Sequence, residues 1–126
     1  MLIKSLRMLN FRQFMGETHV DFSVDPDRNV TVILGDNTFG KTTLLQAFNW
    51  CFYEKVLFSD NPDDLLNYEV ASGMYPDEEE NVEVEITLLH DNYQYVISRK
   101  QHLIKKYNGF NKRTFAKIVC TYKDDA

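Results

Sequence analysis

The chain is poor in the residues that build covalent or metal-stapled folds. Its 126 residues include only two cysteines, Cys51 and Cys120, and three histidines, His19, His90 and His102. The cysteines are far apart and no Cys or His spacing matches a metal site, so a disulfide framework and a structural zinc centre are both excluded. The thiols read as reduced, in a cytosol-like compartment, and the histidines as ordinary strand or surface residues. Long apolar runs are also missing. No stretch approaches the roughly 20 residues that span a bilayer, and the opening LIKSLRML has none of the apolar continuity of a secretory leader. The expectation is a cytoplasmic protein, nucleoid-associated if bacterial, with no membrane partner. There is no internal repeat, low-complexity tract or coiled-coil heptad. Cations do not dominate either: the formal net charge of −5 argues against a general nucleic-acid binder, because such binding rests on cationic contacts to phosphate.

What is present is a real core composition, 44% hydrophobic and 13% aromatic, which argues against disorder. With only five glycines in the chain, the two that fall within six residues of each other carry information. Residues 30–53 read VTVILGDNTFGKTTLLQAFNWCFY, and GDNTFGKT satisfies Gly-x-x-x-x-Gly-Lys-Ser/Thr. Residues 30–34 are β-rich, and after Lys41 the apolar Leu44, Leu45, Phe48, Cys51 and Phe52 recur at helical spacing. Strand, phosphate-cradling loop and helix follow in the order the mechanism needs. Bound phosphates require several backbone N–H groups converging on one point, and Gly35 and Gly40 allow the close approach that a side chain would block. The start of the following helix adds unpaired N–H groups and its dipole. Lys41 supplies a mobile charge to the outer phosphates and is the catalytic candidate, while the Thr42 hydroxyl is suited to ligating Mg²⁺.

Along the rest of the chain, residues 2–9 fit a strand, Gly16 marks a turn, and residues 18–24 alternate with Val20, Phe22 and Val24 on one face. The helix is expected over residues 41–53. Ser59 to Asp64 suggests a second helix start, with Leu65, Leu66 and Tyr68 continuing it, and Gly73, Pro76 and residues 77–80 read as an exposed acidic connection. From Asn81, Val82, Val84, Ile86 and Leu88 alternate with Glu83, Glu85 and Thr87, a half-buried strand. Asp91-Asn92 offers a tight turn to a returning strand over residues 93–100. Asn108-Gly109 marks another turn, and residues 114–122 make a third strand. Between Arg99 and Lys117 lie Arg99, Lys100, Lys105, Lys106, Lys112, Arg113 and Lys117 with no acid among them, which permits a local basic patch.

LIKSLRMLNFRQF, a second strand and then VILGDNTFGKTTLLQAFNWCFY together resemble the N-terminal half of the ATPase head of the SMC/RecF superfamily. That group includes the ATPase of the double-strand-break repair complex and the DndD-type ATPases of DNA sulfur modification. The resemblance runs from residue 1 to about residue 122, and includes Asn10-Phe11-Arg12 and the hairpin NVEVEITLLHDNYQYVISRK. It implies an α/β P-loop NTPase of the ABC-ATPase type, here its N-terminal portion, with a mixed β-sheet, a phosphate-loop helix and an antiparallel β-hairpin. It further implies that Asp36, Asn37, Thr38, Phe39, Gly40, Lys41, Thr42 and Thr43 wrap the phosphates of ATP, that Mg²⁺ is bound, and that Arg12 reaches a phosphate. Many relatives have glycine where this chain has Thr38, which points toward a less common branch such as the DndD-like proteins. The implied partners are a second copy of the head in an ATP-dependent dimer, DNA, and a nuclease or modification subunit. The family's glutamine loop, signature motif and Asp-Glu pair are not found, and Lys41 and Thr42 alone do not orient a hydrolytic water. Residues 1–126 are therefore expected to be part of a longer coiled-coil ATPase, binding ATP without efficient hydrolysis by themselves. Two rivals remain: a non-hydrolytic nucleotide-binding regulatory module without DNA contact, and a phosphotransferase on the same loop, whose alternating strands and helices would form a parallel sheet.

Overall fold

A computed structural model describes residues 1–25, 27, 28, 31, 41–55 and 65–122, Lys41 by its backbone alone. Five strands, β1 (Leu2–Leu9), β2 (Glu17–Asp21), β3 (Glu79–His90), β4 (Tyr93–Lys106) and β5 (Gly109–Tyr122), form one sheet in the order β2-β1-β3-β4-β5. Every pairing among them is antiparallel. The parallel component of the expected mixed sheet would fall on residues 30–34, of which only Thr31 is described. Two helices, α1 (Lys41–Tyr53) and α2 (Tyr68–Ser72), complete the described elements.

The period-2 pattern decides which side of the sheet is covered. Leu6 and Met8 of β1 share a face with Val82, Val84, Ile86 and Leu88 of β3, and all six are buried. Helix α1 packs on that face through Leu44, Ala47, Trp50 and Cys51. Leu45, expected on the apolar stripe, is 60% exposed, whereas Trp50 is 3% exposed. A continuous sheet face needs only about a hundred degrees of helix surface, and Leu45 lies beside that arc. The Arg99 guanidinium donates from Nε to the Cys51 carbonyl at 3.2 Å and approaches Glu54 at 3.4 Å, placing a cation at the carbonyl end of α1 where the helix dipole favours it.

Several boundaries move. β2 ends at Asp21, although Val20 and Phe22 still pack on the core. The expected helix start at residues 59–64 lies outside the described residues, and Leu65 and Leu66 are buried but not helical. The helix there is α2, capped by Asn67, whose side chain accepts from the Val70 amide in the manner of an N-cap. β3 begins at Glu79, inside the acidic run, and β4 and β5 are far longer than their apolar alternation suggests. Their ladder pairs every residue from Tyr93–Tyr122 to Lys106–Gly109. Cross-strand hydrogen bonding carries a hairpin on through polar residues once the two strands are in register. The Asp91-Asn92 turn is as expected, both residues having positive φ (49° and 67°), the requirement of a type I′ turn.

Candidate functional site

Asn10, Phe11 and Arg12 form the hinge between β1 and the helical layer. Asn10 and Arg12 both have φ of 52°, a conformation that asparagine tolerates better than most residues. The reversal is held at each polar group. The Asn10 amide donates to Gly16 O at 2.9 Å, the Gly16 amide donates to Asn10 Oδ1 at 2.8 Å, and Arg12 N donates to Leu65 O at 2.8 Å. Asn67 closes the arrangement, its backbone N–H donating to Asn10 O and its Nδ2 to Arg12 O, both at 2.8 Å. Between the two polar residues Phe11 is fully buried, its ring 5.9 Å from that of Trp50 on α1. The motif thus turns the chain, drives one aromatic anchor into the core against α1, and leaves Gln13 at the first turn of that helix.

Helix α1 begins at Lys41, the residue that follows GDNTFG. Of the sequence-predicted site residues, Gly35, Asp36, Asn37, Thr38, Phe39, Gly40 and the Lys41 side chain lie outside the described residues. Thr42 is exposed and Thr43 is buried. The Thr43 hydroxyl donates to Gln13 Oε1 at 2.7 Å. That bond joins the β1–β2 loop to the first turn of α1, so Gln13 and Thr43, thirty residues apart in sequence, are brought to one place. Gln13 is the member that sequence reasoning missed. A lone glutamine after a strand carries no spacing signal, and its role appears only when the helix lies beside it.

A groove of about 550 Å³ opens on this corner, lined by Arg12, Gln13, Asn67, Glu69, Phe110 and Lys112 among others. It joins the β1–β2 loop, the α2 region and the β4–β5 hairpin. Its polar groups of both signs over an apolar floor of Leu65, Leu66 and Leu103 suit a ligand with an apolar body and polar edges.

Away from this corner the face of the sheet opposite α1 carries Arg7 between Glu83 (2.6 Å) and Glu85 (3.4 Å). Burial works against the Arg7 charge, but the two carboxylates outweigh it and raise its pKa above the ordinary arginine value. The basic stretch is divided by the pleat. Lys105 and Lys112 fall in register with the helix-covered side, where Lys105 lies over Phe110 at 4.7 Å, while Lys100, Lys106, Arg113 and Lys117 fall on the opposite side. Lys106 pairs with Asp77 at 3.0 Å, and Arg113 lies over Phe115 at 5.3 Å. One run of cations in sequence is therefore two groups in space, and Arg99 belongs to the end of α1 rather than to either.

The family model described as "AAA domain" matches residues 5–125. The chain is 32% identical over 73 residues to "DNA replication and repair protein RecF" of Clostridium beijerinckii, covering 58% of this chain and 18% of that protein. It is 32% identical over 69 residues to the RecF protein of Clostridium kluyveri, covering 55% of this chain and 18% of that protein. It is also 28% identical over 102 residues to "DNA double-strand break repair Rad50 ATPase" of Methanococcus maripaludis, covering 81% of this chain and 9% of that protein. The chain thus spans less than a fifth of the length of these relatives. Among the described residues no helix is long and apolar enough to cross a membrane.

Proposed function

The chain belongs to the AAA domain family, within the SMC/RecF superfamily, and from that premise we propose that it is the ATP-binding part of an SMC/RecF-like ATPase acting on DNA. Gly35 to Thr43 would wrap the phosphates, Lys41 would neutralise their outer charge, and Thr42 would ligate Mg²⁺. The observation that carries the reading is the start of α1 at Lys41, directly after GDNTFG. The helix N-terminus then lies where a phosphate would be held by backbone N–H groups and dipole. Gln13 meets that end of α1 through its bond with Thr43, and Arg12, its neighbour in the chain, would reach a phosphate. Thr43 is a backbone contributor in this proposal, since its hydroxyl is already engaged.

The residues that orient water and complete hydrolysis would be supplied from outside residues 1–126, by the remainder of a longer protein or by another chain. The relatives' names include DNA replication, DNA repair and an ATPase. By that likeness the assembled protein would pair with a second ATPase head on ATP, engage DNA, and work in repair, recombination, sulfur modification or defence with a nuclease or modification subunit. The non-hydrolytic regulatory module remains the second reading, favoured by the net charge of −5. The phosphotransferase is disfavoured by the antiparallel pairing of all five described strands, because such enzymes build parallel sheets from strand–helix–strand units.

Calorimetric titration of the chain with MgATP and with MgGTP tests the assignment. Lys41→Ala should abolish ATP binding while leaving the far-ultraviolet spectrum intact. Unchanged affinity in that variant would remove the phosphate-loop assignment, and nucleotide binding without any effect on DNA binding would move the reading to the regulatory module.

A further inference from the structure

One buried hydroxyl at the start of α1 has its partner outside its own helix. Thr43 is 8% exposed and stands third in α1, and a threonine hydroxyl within a helix commonly bonds the carbonyl four residues behind it. In the first turn that carbonyl belongs to a residue before the helix. Gln13 meets the need from the β1–β2 loop, its Oε1 accepting the Thr43 hydroxyl at 2.7 Å. Any acceptor would do that much. A carboxylate would do it better, because a charged acceptor forms the stronger bond and a negative side chain is favoured beside the unpaired N–H groups of a helix start. Yet α1 has no acidic residue in its first turn, and the acceptor that the loop brings to it is uncharged as well. The place that favours an anion is met by a neutral amide.

We propose that Gln13 is a ligand-contacting residue of the nucleotide site: with its Oε1 held by Thr43, its Nε2 group donates to an oxygen of the bound phosphate chain. The inference rests on the nucleotide reading above and adds to it a residue that belongs neither to the phosphate loop nor to Asn10-Phe11-Arg12. A primary amide carries one carbonyl and two N–H donors on the two arms of the same carbon. The bond to Thr43 engages the first arm and leaves the second for an acceptor. It also fixes a long side chain before the ligand arrives, so less conformational entropy is lost on binding. The same side chain lines the groove shared with Arg12, Asn67 and Lys112, so Gln13 stands between the first turn of α1 and that groove. A glutamate here would serve Thr43 but set a negative charge against the phosphates. Glutamine serves both.

The test uses the whole chain, with MgATP affinity from calorimetry and stability from urea unfolding measured on each variant. Gln13→Met is close in size and carries no N–H donor or carbonyl acceptor. It should lower the unfolding midpoint, because the Thr43 hydroxyl loses its acceptor, and weaken MgATP binding about tenfold, as expected for a hydrogen bond to a charged oxygen. Adding Thr43→Val removes the orphaned hydroxyl. The double variant should recover the midpoint yet bind MgATP more weakly than Thr43→Val alone, which keeps the Gln13 donors. Gln13→Glu retains the bond from Thr43 and should unfold at or above the parent midpoint at pH 7, while binding MgATP more weakly than Gln13→Met in low salt. Inorganic tripolyphosphate, used as a competitor, should show the same fold loss in Gln13→Met as MgATP. Equal affinities of Thr43→Val and the double variant would overturn the contact and leave Gln13 as a partner of Thr43 alone. A loss seen with MgATP but not with tripolyphosphate would overturn its assignment to phosphate. Lys41→Ala separates this contact from the site it serves: if that variant loses MgATP while the Gln13 variants keep it, only the contact fails. A parent chain that binds no MgATP overturns the nucleotide site and the contact together.

Discussion

Phe11 is where the fold and the candidate site depend on the same side chain, and Phe11→Ala is the perturbation that reads both. Its ring is fully buried and meets Trp50 of α1 at 5.9 Å. Truncating a buried phenylalanine costs about 3–5 kcal/mol, of which the aromatic pairing accounts for about 0.5–1.5 kcal/mol. Against a total stability of about 5–15 kcal/mol for a domain of this kind, that leaves a chain that is still folded but much weakened. With a urea dependence of about 2 kcal/mol per molar, the unfolding midpoint should fall by about 2 M. Met15, in the same loop but 61% exposed, provides the comparison: Met15→Ala should stay within about 0.5 kcal/mol of the parent. A double-mutant cycle with Trp50→Ala should show coupling of about 1 kcal/mol. Because Phe11 anchors to α1 the segment whose Gln13 meets the first turn of that helix, MgATP should also stabilise the variant less than the parent. A cost below about 1 kcal/mol, or strict additivity with Trp50→Ala, would refute the claim that the Asn-Phe-Arg motif is a packing device joining β1 to α1.

Gln13→Ala removes the acceptor of the Thr43 hydroxyl and should cost about 1 kcal/mol, measured by denaturation; Thr43→Val in the same background should then cost less than it does alone. Burial pushes the Cys51 thiol up to about 12 from an ordinary 9.0, with Arg99 opposing. Below pH 9 the thiol is protonated in both folded and unfolded chains, and between 9 and 12 only the unfolded chain releases its proton, so this group lowers stability by about 1.4 kcal/mol per pH unit. The stability gap between the parent and Cys51→Ala should therefore narrow from pH 8 to pH 10 in urea titrations, and a constant gap would contradict the burial argument. For DNA, combined charge removal at Lys100, Arg113 and Lys117 should weaken binding and flatten its salt dependence more than removal at Lys105 and Lys112, as followed by fluorescence anisotropy across a salt series. Equal effects of the two sets would mean that the pleat does not divide the basic stretch into separate surfaces.

The local pattern of the sequence carries a good part of this protein. The alternation of Val82, Val84, Ile86 and Leu88 predicts a half-buried strand because side chains on a strand take opposite faces in turn, and all four are buried. The helix over residues 41–53 has its boundaries where the glycine loop and apolar spacing put them. The Gly-x-x-x-x-Gly-Lys-Thr match and the N-terminal motif point to the family because phosphate binding by backbone N–H groups constrains residue types at fixed spacing.

Tertiary structure decided what depends on partners distant in sequence. Leu45 and Trp50 are both apolar residues of one helix, and only the sheet beneath determines that the first is exposed and the second buried. The length of β4 and β5 follows from their mutual ladder, since cross-strand hydrogen bonds do not require apolar side chains. The role of Gln13 exists only because α1 brings Thr43 to it. The basic stretch is one run along the chain and two surfaces in space, because a strand turns successive residues to opposite sides of the sheet.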